Sequence, residues 1–244
     1  MAAPTRFTAG LTQAAKWQPL GDIGIPDPFF YAWEGDDFLP YNPSLYTVTV
    51  NGAGGSIAAT PGSGGRLLFT TGGTPGNSVS MQNTIASYQY TPGKKLGFLS
   101  RIQLSDNTNP YGVLGLIQTT TTPNTVVNGW YFSKAPGGTV ILFTIVNASV
   151  VVGTVTVGNV APANFDVDLG FVVDRLGNTN IFVGHNIEGA LREDFVTIGP
   201  TAKIPASSLT GALPTTLLNP TLSLTTISGV QTGIGDFLYA AQER

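Results

Sequence analysis

The chain has 244 residues, 42% of them hydrophobic and only 10% charged, with a net charge of −3, a mean hydropathy of +0.17 and no cysteine. The missing cysteines exclude disulfides and thiolate metal sites, and basic residues that fall singly leave no stripe to neutralise phosphates, so nucleic acid is not an expected partner. Charge this sparse, against roughly a quarter in an average soluble domain, predicts a surface partly covered by partners, as in a homo-oligomer within an assembly.

In chain order, residues 1–33 carry Pro4, Pro19, Pro26 and Pro28 and hold no sustained apolar period, which predicts an extended N-terminal arm. A short helix from Thr12 to Trp17 fits within it, stopped by Pro19. The start lacks the apolar stretch of a secretory leader, and no run nears the roughly eighteen apolar residues that span a bilayer, so a soluble chain without membrane contact is expected. Phe7, Leu11, Trp17, Ile23, Ile25 and Phe29 are too apolar for a free solvated tail, and they are the candidate partner-contact residues.

Residues 34–244 read as one all-β domain. Short alternating segments at Tyr46–Val50, Ser56–Thr60, Arg66–Thr70 and Ser78–Met81 are followed by longer ones at Lys95–Leu104, Gly112–Thr120, Gly129–Lys134, Thr139–Asn147 and Ser149–Val157. Turn residues separate them at the spacing of a sandwich or barrel. The next stretch, 165–191, predicts a hairpin closed by Asp174 to Asn178, with Val167, Leu169, Phe171 and Val173 on the buried face and Asp166 and Asp168 on a solvated one. An irregular segment over 193–219, with one helical turn near Ala206, precedes strands at Thr221–Ile227 and Gly235–Ala241.

Catalytic chemistry is not expected. His185 is the single histidine and sits between Gly184 and Asn186 like a loop residue, and no Gly-x-Ser-x-Gly segment supplies a nucleophile. Asp106–Asn109 and Asp174–Asn180 have oxygens that could hold calcium, yet Asp, Asn and Gly also sit in turns for backbone reasons alone. Trp130 and Tyr131 are adjacent in one strand, so one must face inward. No catalytic residue, metal or cofactor is assigned.

The order of Asp36-Asp37-Phe38, Gly64-Gly65-Arg-Leu-Leu-Phe-Thr70, Gly112-Val-Leu-Gly-Leu-Ile117, Gly129-Trp-Tyr-Phe132 and the Val167–Val183 hairpin resembles concanavalin A-like (laminin G-like) folds. That resemblance implies an antiparallel β-sandwich, or jelly roll, whose last strand, Phe237–Ala240, returns beside the first. Members that cleave glucans carry a Glu-x-Asp-x-x-Glu strand, which this sequence lacks, so the resemblance implies no hydrolase. Gly10-Leu-Thr-Gln-Ala-Ala-Lys16, Pro19-Leu-Gly21 and Pro26-Asp-Pro28 ahead of Asp37-Phe38 make the whole similar to tailed-bacteriophage virion proteins that decorate or cement a capsid. This second resemblance implies a non-enzymatic structural protein in the virion, bound through its arm to the major capsid protein or another virion protein. The alternative is a tail-fibre or adhesin module that recognises a surface glycan on the same fold.

Overall fold

The computed structural model describes residues 31–38, 41–60, 65–106, 108–122, 125–135, 137–138, 140–159, 166–186 and 202–243. They form two packed antiparallel sheets. The eight-stranded sheet runs in the order β13 (Ala202–Ile204), β12 (Thr179–Asn186), β11 (Asp166–Val173), β6 (Leu96–Leu104), β15 (Thr232–Glu243), β4 (Leu67–Thr70) and β3 (Ser56–Ala59), and β1 (Tyr31–Asp36) also pairs with β15. The seven-stranded sheet runs β10 (Val150–Asn159), β9 (Val140–Asn147), β8 (Gly129–Lys134), β7 (Pro110–Ile117), β14 (Asn219–Thr226), β5 (Ser78–Asn83) and β2 (Tyr46–Asn51). Among the described residues helix is confined to single 3-10 turns at Pro43–Leu45 and Ala206–Ser208, and no helix is long and apolar enough to cross a membrane.

The core lies between the sheets because each strand alternates. Val167, Leu169, Phe171 and Val173 are all buried in it, so the expected register of β11 holds. Phe171 lies opposite Phe98 of β6, and their rings stack at 5.8 Å. Across the sandwich Phe171 meets Phe143 at 5.3 Å, and Phe143 meets Phe132 edge-on at 5.0 Å. These four rings join the sheets at the centre, in the offset and tilted geometries that aromatic quadrupoles favour.

The β11–β12 hairpin closes as its sequence demands. The Asp174 carboxylate accepts from the backbone N–H groups of Leu176 and Asn178, both at 2.9 Å, and Gly177 takes φ +83°. At the start of the domain the Asp36 carboxylate accepts from Phe38 N–H at 2.6 Å and also bonds the Tyr46 hydroxyl. Phe38 is thereby turned to φ +57° and its ring buried. A left-handed phenylalanine is costly, and the buried ring offsets that cost.

Three sequence expectations need correction. Residues 31–33, assigned to the arm, belong to β1, which pairs in register from Tyr31↔Glu243 to Asp36↔Leu238. The segment YAWEGD has no clean alternation, so its strand state comes from its neighbour β15. Ala202–Ile204, taken as irregular because Pro200 and Pro205 flank it, is a short edge strand on β12. His185 is a strand residue opposite Val167, since the hairpin continues to Asn186; its side chain lies outside the described residues.

Candidate functional site

The two outer faces of the sandwich carry different chemistry. On the eight-stranded sheet, Asp168 of β11 is not solvated as expected but buried. Arg101 of β6 holds it through Nε to Oδ1 at 2.6 Å and Nη2 to Oδ2 at 2.9 Å. The third guanidinium nitrogen, Nη1, donates to Asp236 at 3.2 Å, and a bulge between Gly235 and Phe237 of β15 places that carboxylate. Arg66 donates to Asp166 at 2.8 Å and lies 3.8 Å from Asp236. Signs therefore alternate along Asp168, Arg101, Asp236, Arg66 and Asp166. Strand alternation gave the face of Asp168 correctly but its solvation wrongly, because Arg101 of the neighbouring strand covers it. The hydrogen bond to Asp168 is the main cause holding the Arg101 guanidinium charged beyond its ordinary range. All three carboxylates in this ion-pair row are thus tied to guanidinium groups.

The outer face of the seven-stranded sheet is neutral. Ser78, Ser80 and Gln82 of β5 point there, followed by Thr221, Ser223 and Thr225 of β14, then Tyr111, Val113 and Gly115 of β7, Tyr131 and Ser133 of β8, and Thr144 of β9. This is the polar side of strands whose alternate residues, such as Val79, Met81, Leu222 and Leu224, lie in the core. The β7–β8 loop crosses the face at one side. Thr120 N–H donates to Gln82 Oε1 at 3.0 Å, and Asn51 Nδ2 donates to the carbonyl of Thr121 at 3.3 Å. Gln82 also donates to the Thr221 hydroxyl at 2.9 Å.

A groove results, with loop residues 118–122 as one wall and Tyr111 and Tyr131 as the other. The walls are three strand spacings apart, about 14 Å. On the floor, Ser223 is buried and its hydroxyl has no hydrogen-bond partner. It is one of seven buried side-chain polar atoms without a protein partner among the described residues, a group that water commonly satisfies. Both tyrosines are half-buried. Burial, and then the neighbouring Tyr131, pushes the Tyr111 phenol from the usual 10 up to about 12, and burial also raises Tyr131. Each phenol stays a neutral donor throughout the physiological range. Gly115 is required in the floor: a Cβ there would stand 2.3 Å from the Trp130 carbonyl oxygen. Trp130 is the inward member of the Trp130–Tyr131 pair, with its ring 5.8 Å from Tyr90 in the core.

Both loops with calcium-like compositions hold their carboxylates on N–H donors. Asp106 accepts from Thr108 N, Asn109 N and Asn109 Nδ2, which lowers its pKa, and Asp174 is similarly saturated. The carbonyls beside Asp106 already face a cation, the Lys134 ammonium, which donates to Pro110 O at 2.8 Å, Thr108 O at 3.0 Å and Ala135 O at 3.3 Å. Between the sheets near Lys134 lies a cavity of about 40 Å³ lined by Ile102, Leu104, Leu114, Phe132, Val167 and Leu169. It is apolar and has room for two or three waters, far below the few hundred Å³ of a ligand pocket. The candidate contact residues Phe7, Leu11, Trp17, Ile23, Ile25 and Phe29 lie outside the described residues.

No family model matches the chain, and no curated protein matches its sequence. Solved structures do. A protein of unknown function from Shewanella oneidensis MR-1 superposes with a TM-score of 0.59 at 11% identity, covering 88% of this chain and 87% of that one. The β-glucanase of Bacillus licheniformis gives 0.56 at 12% identity over 86% and 97%. An endo-1,3-beta-glucanase from Streptomyces sioyaensis gives 0.52 at 10% identity over 89% and 90%. The fold is therefore a concanavalin A-like jelly-roll sandwich. At such identities the likeness concerns architecture alone, and function rests on the residues described above.

Proposed function

We propose that this chain is a non-enzymatic recognition protein that takes a neutral glycan in the groove on the outer face of its seven-stranded sheet. The observation that carries this reading is the uncharged row of Ser, Thr, Gln and Tyr side chains on that face, between the Tyr111–Tyr131 wall and the 118–122 loop. A sugar presents hydroxyls that both donate and accept, together with apolar ring faces. Neutral hydroxyls, amides and phenols match the first, and half-buried tyrosine rings match the second. The acidic groups of the opposite face are engaged with guanidinium groups, which supports binding without hydrolysis. A glycan array tests the reading: the intact protein is expected to retain neutral oligosaccharides, and Tyr131→Ala and Ser223→Val to lose them. New reducing ends on incubation would instead make the groove a hydrolase site.

A second reading assigns the chain to a phage virion as a capsid-decorating protein held by its N-terminal arm. It is supported by the 10% charge content and by Leu45, Val48, Val50 and Ile85, which expose apolar surface along one flank. The partner would be the major capsid protein or another virion protein, reached through Phe7, Leu11, Trp17, Ile23, Ile25 and Phe29. Since β1 begins at Tyr31, deleting residues 1–30 is expected to leave the sheet spectrum unchanged and to abolish co-sedimentation with undecorated particles. A truncated chain that still co-sediments would place the contact on the sandwich.

A further inference from the structure

The two flanks of the sandwich treat their sheet edges differently. At one flank β10 is broken by register shifts between Val151 and Gly153 and between Thr156 and Gly158, and Thr210 N–H donates to Val152 O at 3.0 Å. Its neighbour β13 is three residues long, with an exposed Lys203 and Pro205 directly after it. Bulges, short strands, lysine and proline are the devices that keep an edge from pairing with another chain.

The other flank has neither bulge nor lysine; β3 is short at four residues, but β2 is a full six. β2 (YTVTVN) ends the seven-stranded sheet and β3 (SIAA) ends the eight-stranded one, joined by residues 52–55. β2 pairs with β5 without a register shift, and among the described residues no strand pairs with its far side. From Phe38 to Gly93 the one charged residue is Arg66. Val48 and Val50 are 39% and 41% exposed, and Ile85, following Thr84 whose N–H donates to Leu45 O, is 74% exposed. A straight, uncharged edge of alternating Thr and Val, flanked by exposed aliphatics, is a template for strand addition.

We infer that the occupant of this edge is the β2 edge of a second copy, paired antiparallel about a two-fold axis to make one continuous fourteen-stranded sheet. Two observations select a second copy. Neither β2 nor β3 carries a charged residue, so two identical edges meet without repulsion, whereas a charged strand would find no counter-charge on them. The strand is also self-complementary in the only way an antiparallel pair allows, since directly opposite residues must share a face. Centring on Val48 sets Val48 against Val48 and Thr47 against Thr49, so that Val meets Val and Thr meets Thr. The dimer would extend the groove face of one copy into that of its partner.

The test uses the full chain and sedimentation equilibrium. The wild type is expected to dimerise, and Val48→Lys, at an exposed position, to weaken association by roughly tenfold or more, because it sets like charges opposite each other. An unchanged circular dichroism spectrum for Val48→Lys verifies folding. Because the chain has no cysteine, Val48→Cys supplies a second readout. Oxidation is expected to cross-link it into covalent dimers, whereas Val150→Cys on the guarded flank stays monomeric under the same treatment. A monomeric wild type, a dimer indifferent to Val48→Lys, or failure of Val48→Cys to cross-link would each overturn the assignment.

Discussion

The outer faces of the two sheets solve the problem of polar residues on a strand in opposite ways. On the eight-stranded sheet five polar positions are full charges tied to one another across distant parts of the chain: Arg101 reaches Asp168 and Asp236, 67 and 135 residues away. On the seven-stranded sheet they are Ser, Thr, Tyr and Gln, some paired with one another and at least one, Ser223, unpaired. The first face is electrostatically closed; the second has hydrogen-bonding capacity to spare. A glycosidase needs two carboxylates with different tasks, whereas a glycan-binding face needs hydroxyls and aromatic edges, and the neutral face offers both in Ser, Thr, Tyr111 and Tyr131.

Breaking the closed face should cost most. Arg101→Met strands Asp168, whose side chain is 8% exposed, and breaking such a buried pair costs about 3–5 kcal/mol. Urea unfolding measures this, and replacing both Arg101 and Asp168 by apolar residues should recover much of the loss. Phe171→Ala removes the ring that joins both sheets and is expected to cost about 3–5 kcal/mol, with a melting temperature far below that of the wild type.

Changes on the neutral face should be smaller in stability and larger in binding. Gly115→Ala forces β7 and β8 apart at the floor of the groove, for about 1–3 kcal/mol of overpacking strain, and should abolish glycan binding with it. Tyr131→Ala removes a half-buried ring, so it should cost about 1–2 kcal/mol of stability and weaken a bound oligosaccharide by roughly tenfold, about 1.4 kcal/mol. The smallest effect is alkaline. Tyr111 is raised in the folded state, so its contribution to stability is complete below the unfolded value of 10 and is lost as pH climbs toward about 12. Thermal melts should fall over that window, and Tyr111→Phe should flatten the fall.

Most of the fold was legible because alternation and turn chemistry agree: the β11–β12 hairpin was visible from Val167, Phe171, Asp174 and Gly177 alone. What escaped depends on neighbours. β1 owes its strand state to β15, and β13 is hidden between prolines. The ion-pair chain joins residues from three strands with Arg66 just ahead of a fourth, so neither Arg66 nor Arg101 stood out in the sequence. Part of the groove did leave a signal. In Ser78-Val-Ser-Met-Gln82 and Thr221-Leu-Ser-Leu-Thr225, the polar half of the alternation is uncharged in both strands. Those segments become neighbours through pairing over some 140 positions, which no local pattern records.

On the proposed reading, ligand leaves the charged face untouched and meets the neutral one. Threonine-methyl NMR reports on it directly, because Thr144, Thr221 and Thr225 lie on that face while Thr70 and Thr179 belong to the other sheet. On titration with a neutral oligosaccharide that the array selects, the signals of Thr144, Thr221 and Thr225 should shift and saturate together, with Thr70 and Thr179 unmoved. Shifts confined to Thr70 and Thr179, or none at saturating sugar, would contradict it.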